Sequence, residues 1–91
     1  MIKAADTQIT MYGTNWCPDC IRAKVIMRRL NVAYIEIDVD QDRSGYEIVV
    51  KHNGGKRVVP TIFFPDGSVL VEPSNKALTE KLFELGLVKG S

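Results

Sequence analysis

Two cysteines stand at the point where a strand pattern changes into a helix pattern, and this junction constrains the fold more than any other feature. Residues 9–12, Ile-Thr-Met-Tyr, form a short alternating apolar run closed by Gly13, which is typical of a strand. From Pro18 to Asn31 the apolar residues recur at helical spacing, and proline suits a first helical turn. The sequence Cys17-Pro18-Asp19-Cys20 therefore lies where a strand ends and a helix begins.

The middle of the chain continues with one more strand pattern and one more helix pattern. Residues 33–39 alternate in polarity and are rich in β-branched side chains, which predicts a second strand. A second helix is predicted to begin after a cap at Asp40 or Asp42 and to end at residues 53–55, Asn-Gly-Gly. Its inward-facing apolar residues are Tyr46, Val49 and Val50.

The last third of the chain predicts a strand, a hairpin and a helix. Residues 58–64 form the third strand pattern, and Pro60 interrupts it near its start because proline removes a ladder hydrogen bond. Residues 65–68, Pro-Asp-Gly-Ser, predict a tight turn from which residues 69–71 return antiparallel. Ser74 is the expected cap of a final helix that ends at Gly86. The buried face of this helix carries Leu78, Leu82 and Leu85.

The resulting element order, β-α-β-α-β-β-α, predicts an α/β protein. Strands joined through a helix are parallel with a right-handed crossover, whereas the final hairpin adds antiparallel pairs. We therefore expect a four-stranded mixed sheet with helices on both faces. The 91 residues have the length of one domain, so a single domain over residues 1–91 is expected, with its core from about residue 8 to 88.

Charge and hydropathy exclude several classes of function. Twelve basic and eleven acidic residues give a net charge of +1, which provides too little positive field to hold nucleic acid. No segment approaches the run of about 20 apolar residues that spans a membrane. Residues 1–6 lack the apolar core of a secretory signal. We therefore expect a cytoplasmic protein that binds neither nucleic acid nor membrane.

The spacing of the cysteines predicts a dithiol redox site. Cys17 precedes the helix, where unpaired backbone N–H groups and the positive helix end stabilise a thiolate. Cys20 lies one turn further on, on the side that faces the core. We expect Cys17 to attack a disulfide and Cys20 to resolve the mixed disulfide that forms. Pro18 keeps the two sulfurs close, and the carboxylate of Asp19 opposes negative charge nearby.

The residues alone leave two other uses of the cysteine pair open. A structural disulfide across two residues would constrain little chain, and the cytoplasm keeps thiols reduced. A zinc site needs four ligands, whereas the chain offers two cysteines and one histidine, His52. Redox use is favoured over both, and we expect no bound metal.

Two short segments are candidates for binding a substrate beside the thiols. Pro60 opens the third strand opposite the start of the first helix. A cis peptide bond before it would expose the backbone N–H and C=O of Val59 to an extended thiol peptide. Lys56 and Arg57 precede this segment, where they attract a carboxylate of a peptide-like thiol or lie in a solvated loop.

Two aromatic residues and the histidine complete the candidates. Trp16 directly precedes Cys17, where it shields the thiol or contacts a substrate. Core packing is an equally supported interpretation for Tyr12. His52 stands near a helix end and is interpreted as a surface residue.

The cysteine pair, Val59-Pro60 and the element order resemble the glutaredoxin family of the thioredoxin superfamily over about residues 8–88. Residues 53–61, Asn-Gly-Gly-Lys-Arg-Val-Val-Pro-Thr, and residues 14–17, Thr-Asn-Trp-Cys, are most similar to mycoredoxins, as are residues 66–68 and 73–74. Mycoredoxins are glutaredoxin homologues that reduce mixed disulfides with mycothiol. The resemblance implies a thioredoxin-like fold and a thiol–disulfide oxidoreductase. Its implied substrates are protein disulfides or protein–small-thiol mixed disulfides.

The same resemblance implies a set of partners. Most glutaredoxins have lysine where this chain has Thr14, and a Gly-Gly and an acidic pair where it has residues 71–75. A low-molecular-weight thiol, mycothiol or glutathione, is the implied co-substrate, with no tightly bound cofactor. Oxidised protein clients and a flavin disulfide reductase are further implied partners. The candidate thiol-binding residues are Thr14, Trp16, Lys56, Arg57, Val59 and Pro60.

The family also offers an alternative function. Some glutaredoxins dimerise around an iron–sulfur cluster held by the nucleophilic cysteine of each chain and two thiol cofactors. Pro18 argues against this alternative, because proline after the nucleophile is associated with poor cluster assembly in the family. The expectation for this chain is a monomer.

Overall fold

A computed structural model describes residues 8–88. Its elements follow the predicted order: β1 (Ile9–Gly13), α1 (Pro18–Arg29), β2 (Tyr34–Asp38), α2 (Arg43–His52), β3 (Thr61–Phe63), β4 (Val69–Val71) and α3 (Asn75–Glu84). Residues 1–6, on which the expectation of no secretory signal rests, lie outside the described residues. The domain bounds of 1–91 therefore stay a prediction.

The four strands form one mixed sheet in the order β2-β1-β3-β4. β1 and β2 are parallel, with Ile9 opposite Tyr34 and Gly13 opposite Asp38, because α1 carries the chain back between them. β3 pairs antiparallel with both β1 and β4. The predicted mixed sheet is confirmed.

The third strand is shorter than its sequence pattern, and Pro60 accounts for the difference. β3 begins at Thr61 because proline has no N–H to give to a ladder. The Pro60 carbonyl still accepts the Glu72 N–H at 2.9 Å. Side chains hold the preceding residues: Thr61 Oγ1 donates to the Val58 carbonyl at 2.7 Å. The Val59–Pro60 peptide bond is cis.

Two apolar cores lie on opposite faces of the sheet, so the predicted placement of helices on both faces is confirmed. The larger core joins the sheet to α1 and α3, and its main residues are Ile9, Met11, Ala23, Met27, Ile62, Leu78 and Leu82. The smaller core joins the sheet to α2 through Tyr12, Val39 and Val49. Ile35 lies on β2, an edge strand, and is 42% exposed.

Gly45 lets α2 approach the sheet closely. The residue is buried, and a Cβ at this position would lie 2.7 Å from Cγ2 of Ile37. The helix begins after Asp42, whose Oδ1 accepts the Gly45 N–H at 2.9 Å, so Asp42 rather than Asp40 is the cap.

Within residues 8–88, no helix is both long and apolar enough to cross a bilayer.

Replacing Ser74 by alanine should destabilise the protein through loss of a helix cap. The Ser74 Oγ accepts the Ala77 N–H at 3.0 Å and satisfies a donor at the start of α3. We expect Ser74→Ala to lower the free energy of unfolding by about 1 kcal/mol in urea denaturation. Ser44→Ala, within the first turn of α2, is the matched control and should not lower it. Equal losses in both variants would contradict the capping role.

Candidate dithiol site

Cys17 occupies the cap position of α1, so its sulfur lies at the positive end of the helix. Its backbone is extended, with φ −79° and ψ 120°, and its Sγ accepts the Cys20 N–H at 3.3 Å. A thiol thus takes the place that serine or aspartate usually fills at a helix start. The residue keeps 7% of its surface exposed. The Cys17 sulfur therefore lies beside a backbone N–H donor, at the positive end of the helix dipole.

Cys20 lies one turn further along α1 and points into the larger core. It is completely buried, and both cysteines are free thiols. Burial, together with the hydrogen bond and charge of Cys17, raises the pKa of Cys20 to about 12. A backbone hydrogen bond from Thr14 and the charge of Lys24 act in the opposite direction. The two thiols therefore differ in access and in environment.

Gly13, the last residue of β1, makes room for the Cys20 sulfur. A Cβ on Gly13 would lie 2.8 Å from Cys20 Sγ and 3.4 Å from Cys20 Cβ. Any larger residue would push against a side chain that the core holds in place. The sequence signalled a strand end at Gly13, but not this packing requirement.

The segment before β3 forms the other side of the thiol site. The carbonyl oxygen of Val59 lies 4.0 Å from Cys17 Sγ. The Val59 side chain is half-buried between the two cores, and Pro60 is buried behind it. The structure therefore brings Cys17, Cys20, Val59 and Pro60 together, although 42 residues separate Cys17 from Val59 in sequence.

Trp16 directly precedes Cys17, and 62% of its surface is accessible. Its indole Nε1 donates to Asp40 Oδ2 at 2.9 Å, and the Arg57 guanidinium lies 5.7 Å from the ring centroid, within cation–π distance. Asp40, one of the two cap candidates for α2, thus binds the indole instead. Aspartates occur at positions 38, 40 and 42, and this spacing was the sequence feature indicating that one of them has a role other than capping α2.

Three other candidates lie in different surroundings. The Thr14 side chain is completely buried, and its Oγ1 has no hydrogen-bond partner within residues 8–88. Tyr12 packs in the smaller core, edge-on to Phe63 at 5.4 Å between ring centroids. Lys56 is exposed. Thr14 thus interacts with the Cys20 thiol through its backbone rather than through its hydroxyl.

Asp19, expected to oppose negative charge near the thiols, has a partner on its own helix. The Asp19 carboxylate forms an ion pair with Arg22 at 2.8 Å, and Arg22 also donates to Asn75 Oδ1 at 2.8 Å. The negative charge of Asp19 is therefore balanced on the surface of α1.

His52 is exposed at the end of α2, with its ring 5.5 Å from that of Phe63. Within residues 8–88, no group of three or more His, Cys, Asp or Glu side chains could hold a metal ion.

Comparison with known proteins places this site in a family. Residues 9–70 match the family model described as glutaredoxin. The chain belongs to the glutaredoxin family. With two cysteines one helical turn apart, this glutaredoxin is a thiol–disulfide oxidoreductase. The resemblance to glutaredoxins is thereby confirmed.

Its relatives include a candidate glutaredoxin of Mycobacterium tuberculosis, 41% identical over 85 residues, which are 93% of this chain and 98% of that protein. Mycoredoxin 1 of Corynebacterium glutamicum is 38% identical over 68 residues, which are 74% of this chain and 82% of that one. The similarity to mycoredoxins is also confirmed.

Solved structures show the same architecture. The crystal structure of a thioredoxin-like protein matches 85% of this glutaredoxin and 97% of its own chain, with 30% identity and a TM-score of 0.64. A buckwheat glutaredoxin in complex with glutathione matches 89% of this chain and 81% of its own, with 22% identity and a TM-score of 0.66. The thioredoxin-like fold is confirmed.

The difference between the thiols should appear in chemical labelling. In the reduced protein at about pH 8, we expect iodoacetamide to alkylate Cys17, because Cys17 keeps 7% of its surface exposed whereas Cys20 is completely buried. Cys20, with its pKa raised to about 12, should react only after unfolding. Mass spectrometry of digested protein locates the label. Rapid native labelling of Cys20 in a Cys17→Ser variant would contradict this assignment.

The packing of Gly13 against Cys20 should appear as an energetic coupling. We expect Gly13→Ala to lower the free energy of unfolding by about 1–3 kcal/mol, because the added methyl group overpacks the contact. Cys20→Ala removes the sulfur, so Gly13→Ala should cost much less in that background. Urea denaturation of both single variants and the double variant measures the coupling. Strictly additive losses would show that the sulfur is not what opposes the methyl group.

Proposed function

We propose that this glutaredoxin reduces protein disulfides or protein–small-thiol mixed disulfides through a Cys17/Cys20 dithiol. The proposal rests on one observation: the two thiols, one helical turn apart, differ in accessibility and in environment. Cys17 is partly accessible and its sulfur accepts the Cys20 N–H, whereas Cys20 is completely buried with a raised pKa. Cys17 is therefore the nucleophile and Cys20 the resolving thiol.

In the first step, the Cys17 thiolate attacks one sulfur of the substrate disulfide. A bond forms between Cys17 Sγ and that sulfur, the substrate S–S bond breaks, and the departing sulfur leaves as a thiolate that takes up a proton. The Val59 carbonyl, 4.0 Å from Cys17 Sγ, lies where an extended substrate segment pairs with the backbone.

In the second step, Cys20 releases the product. Once Cys17 is in a mixed disulfide it carries no negative charge, so its charge no longer raises the pKa of Cys20. Cys20 then loses its proton more readily and attacks Cys17 Sγ. The Cys17–Cys20 disulfide forms, the substrate leaves as a thiol, and two electrons have passed from the protein to the substrate.

A low-molecular-weight thiol restores the dithiol. Two thiol molecules reduce the Cys17–Cys20 disulfide and become a small-molecule disulfide. The mycoredoxin relative supports mycothiol as this thiol, and the glutaredoxin family supports glutathione. We propose that the small thiol binds along Trp16, Lys56, Arg57, Val59 and Pro60, with the Thr14 backbone beneath. The protein works in this proposal as a cytoplasmic monomer, and a flavin disulfide reductase is the competing electron donor.

Serine variants of each cysteine test the mechanism. Cys17→Ser should abolish all activity, because a hydroxyl is not ionised at neutral pH. Cys20→Ser should keep the attacking thiol, so it should accumulate a mixed disulfide with a protein client. It should still remove a small thiol from a client, since a second small thiol can attack the mixed disulfide. Coupled assays with mycothiol, glutathione or thioredoxin reductase, and mass spectrometry of the adducts, measure these outcomes.

Other outcomes would overturn the proposal. Retained activity in Cys17→Ser with a stable adduct on Cys20 would reverse the two roles. Turnover supported only by the flavoenzyme would exclude the small thiol as donor. A brown, chelator-sensitive dimer on anaerobic purification would favour the iron–sulfur alternative, whereas a colourless monomer would favour the oxidoreductase.

A further inference from the structure

A chain of side-chain hydrogen bonds joins the end of α2 to the segment before β3. Asn53 follows α2, and its Nδ2 donates to the Val49 carbonyl at 3.0 Å and to Thr61 Oγ1 at 3.2 Å. Thr61 Oγ1 in turn donates to the Val58 carbonyl at 2.7 Å. We propose that Asn53 and Thr61 are positioning residues that hold the Val58–Val59 peptide in the orientation that a polypeptide client needs. This inference rests on the proposed function.

The chemistry of these groups determines the direction of each hydrogen bond in the chain. The side-chain amide of Asn53 has two hydrogens, and both are donated, one to the Val49 carbonyl and one to the Thr61 hydroxyl oxygen. The Thr61 hydroxyl has one hydrogen, and it goes to the Val58 carbonyl, which can only accept. Thr61 is completely buried, where an unpaired hydroxyl would be costly. Each donor in the chain therefore has one defined acceptor.

The backbone before β3 has no ladder of its own to hold the Val58 carbonyl. Residues 54–57 are exposed, and the backbone of residues 56–59 forms no backbone–backbone hydrogen bond within residues 8–88. The strand pairing of β3 begins only at Thr61. The orientation of the Val58 carbonyl therefore depends on the Thr61 hydroxyl, and that hydroxyl is in turn held by Asn53.

The orientation of the Val58 carbonyl determines that of the Val59 N–H. The peptide bond between these residues is trans, so its C=O and N–H point in opposite directions. Because the carbonyl points towards the buried Thr61 side chain, the N–H points away from it. The Val59 carbonyl lies 4.0 Å from Cys17 Sγ, so a client segment that adds to this backbone meets the Val59 N–H beside the reacting sulfur. Loss of the Thr61 hydroxyl would free this peptide to rotate and would misalign the client.

Two substrates distinguish positioning of the client from support of the fold. One is a disulfide-linked peptide, whose backbone can pair with Val59, and the other is hydroxyethyl disulfide, which has no peptide backbone. Reduced protein is mixed with each substrate in a single turnover, so that no electron donor enters the comparison. We expect Thr61→Val, which replaces the hydroxyl by a methyl group, to lower the rate constant for the peptide about fivefold. The rate constant for hydroxyethyl disulfide should change little.

Three more variants complete the test. Thr61→Ser keeps the hydroxyl and should restore the rate constant for the peptide. Asn53→Ala should slow the peptide reaction less than Thr61→Val does, because the Thr61 hydroxyl can still donate to Val58. Thr10→Val removes a hydroxyl from β1 on the same face of the sheet, so it is the matched control and should leave both rate constants unchanged.

The comparison of the two substrates decides the outcome. An equal loss for both substrates in Thr61→Val would show that the hydroxyl only supports the fold, and it would overturn the proposal, as would an unchanged rate constant for the peptide. Should Thr61→Val fail to fold, Asn53→Ala replaces it: a loss confined to the peptide supports the proposal, and any other result overturns it. Failure of the unaltered protein to reduce either substrate would instead count against the proposed function.

Discussion

The hydrogen bond from the Cys20 N–H to Cys17 Sγ is the interaction on which the rest of this site depends. It makes the sulfur of Cys17 the cap of α1, so the helix begins at the reacting atom rather than near it. One turn of helix then carries Cys20 to the opposite environment, inside the core. One helical turn thus separates a thiol that keeps 7% of its surface exposed from a thiol that is completely buried.

The apolar core affects the chemistry of the site through its close packing around the Cys20 thiol. Gly13 leaves space for the sulfur, and the Thr14 backbone forms a hydrogen bond with it, while burial keeps its proton in place. The Thr14 hydroxyl is buried in the same region without a partner within residues 8–88. A buried polar group of this kind costs about 1–3 kcal/mol. The thiol environment is therefore held in place by packing rather than by a polar network.

The surface of the site comes from connecting segments that the sheet aligns. β1 lies between β2 and β3, parallel to β2 and antiparallel to β3. The segments that follow β1 and β2 and the segment that precedes β3 therefore meet at one end of the sheet. Trp16, Asp40 and Arg57 each belong to a different one of these segments, and the Trp16 indole contacts both Asp40 and Arg57. A rigid sheet with such segments at its edge is a common way to build a binding surface.

Much of this molecule was determined by local sequence. The apolar periods, the serine and aspartate caps, the Asp-Gly turn and the cysteine spacing predicted all seven elements and the position of the thiols, because each depends on residues within one or two turns of each other. Pro60 explained where β3 begins. Tertiary structure alone decided that Asp42 caps α2 while Asp40 holds Trp16, that Gly13 accommodates Cys20, and that Arg57 covers the indole. The contacts of Trp16 with Asp40 and Arg57 join segments that lie far apart in sequence, and the strand order of the sheet brings these segments together.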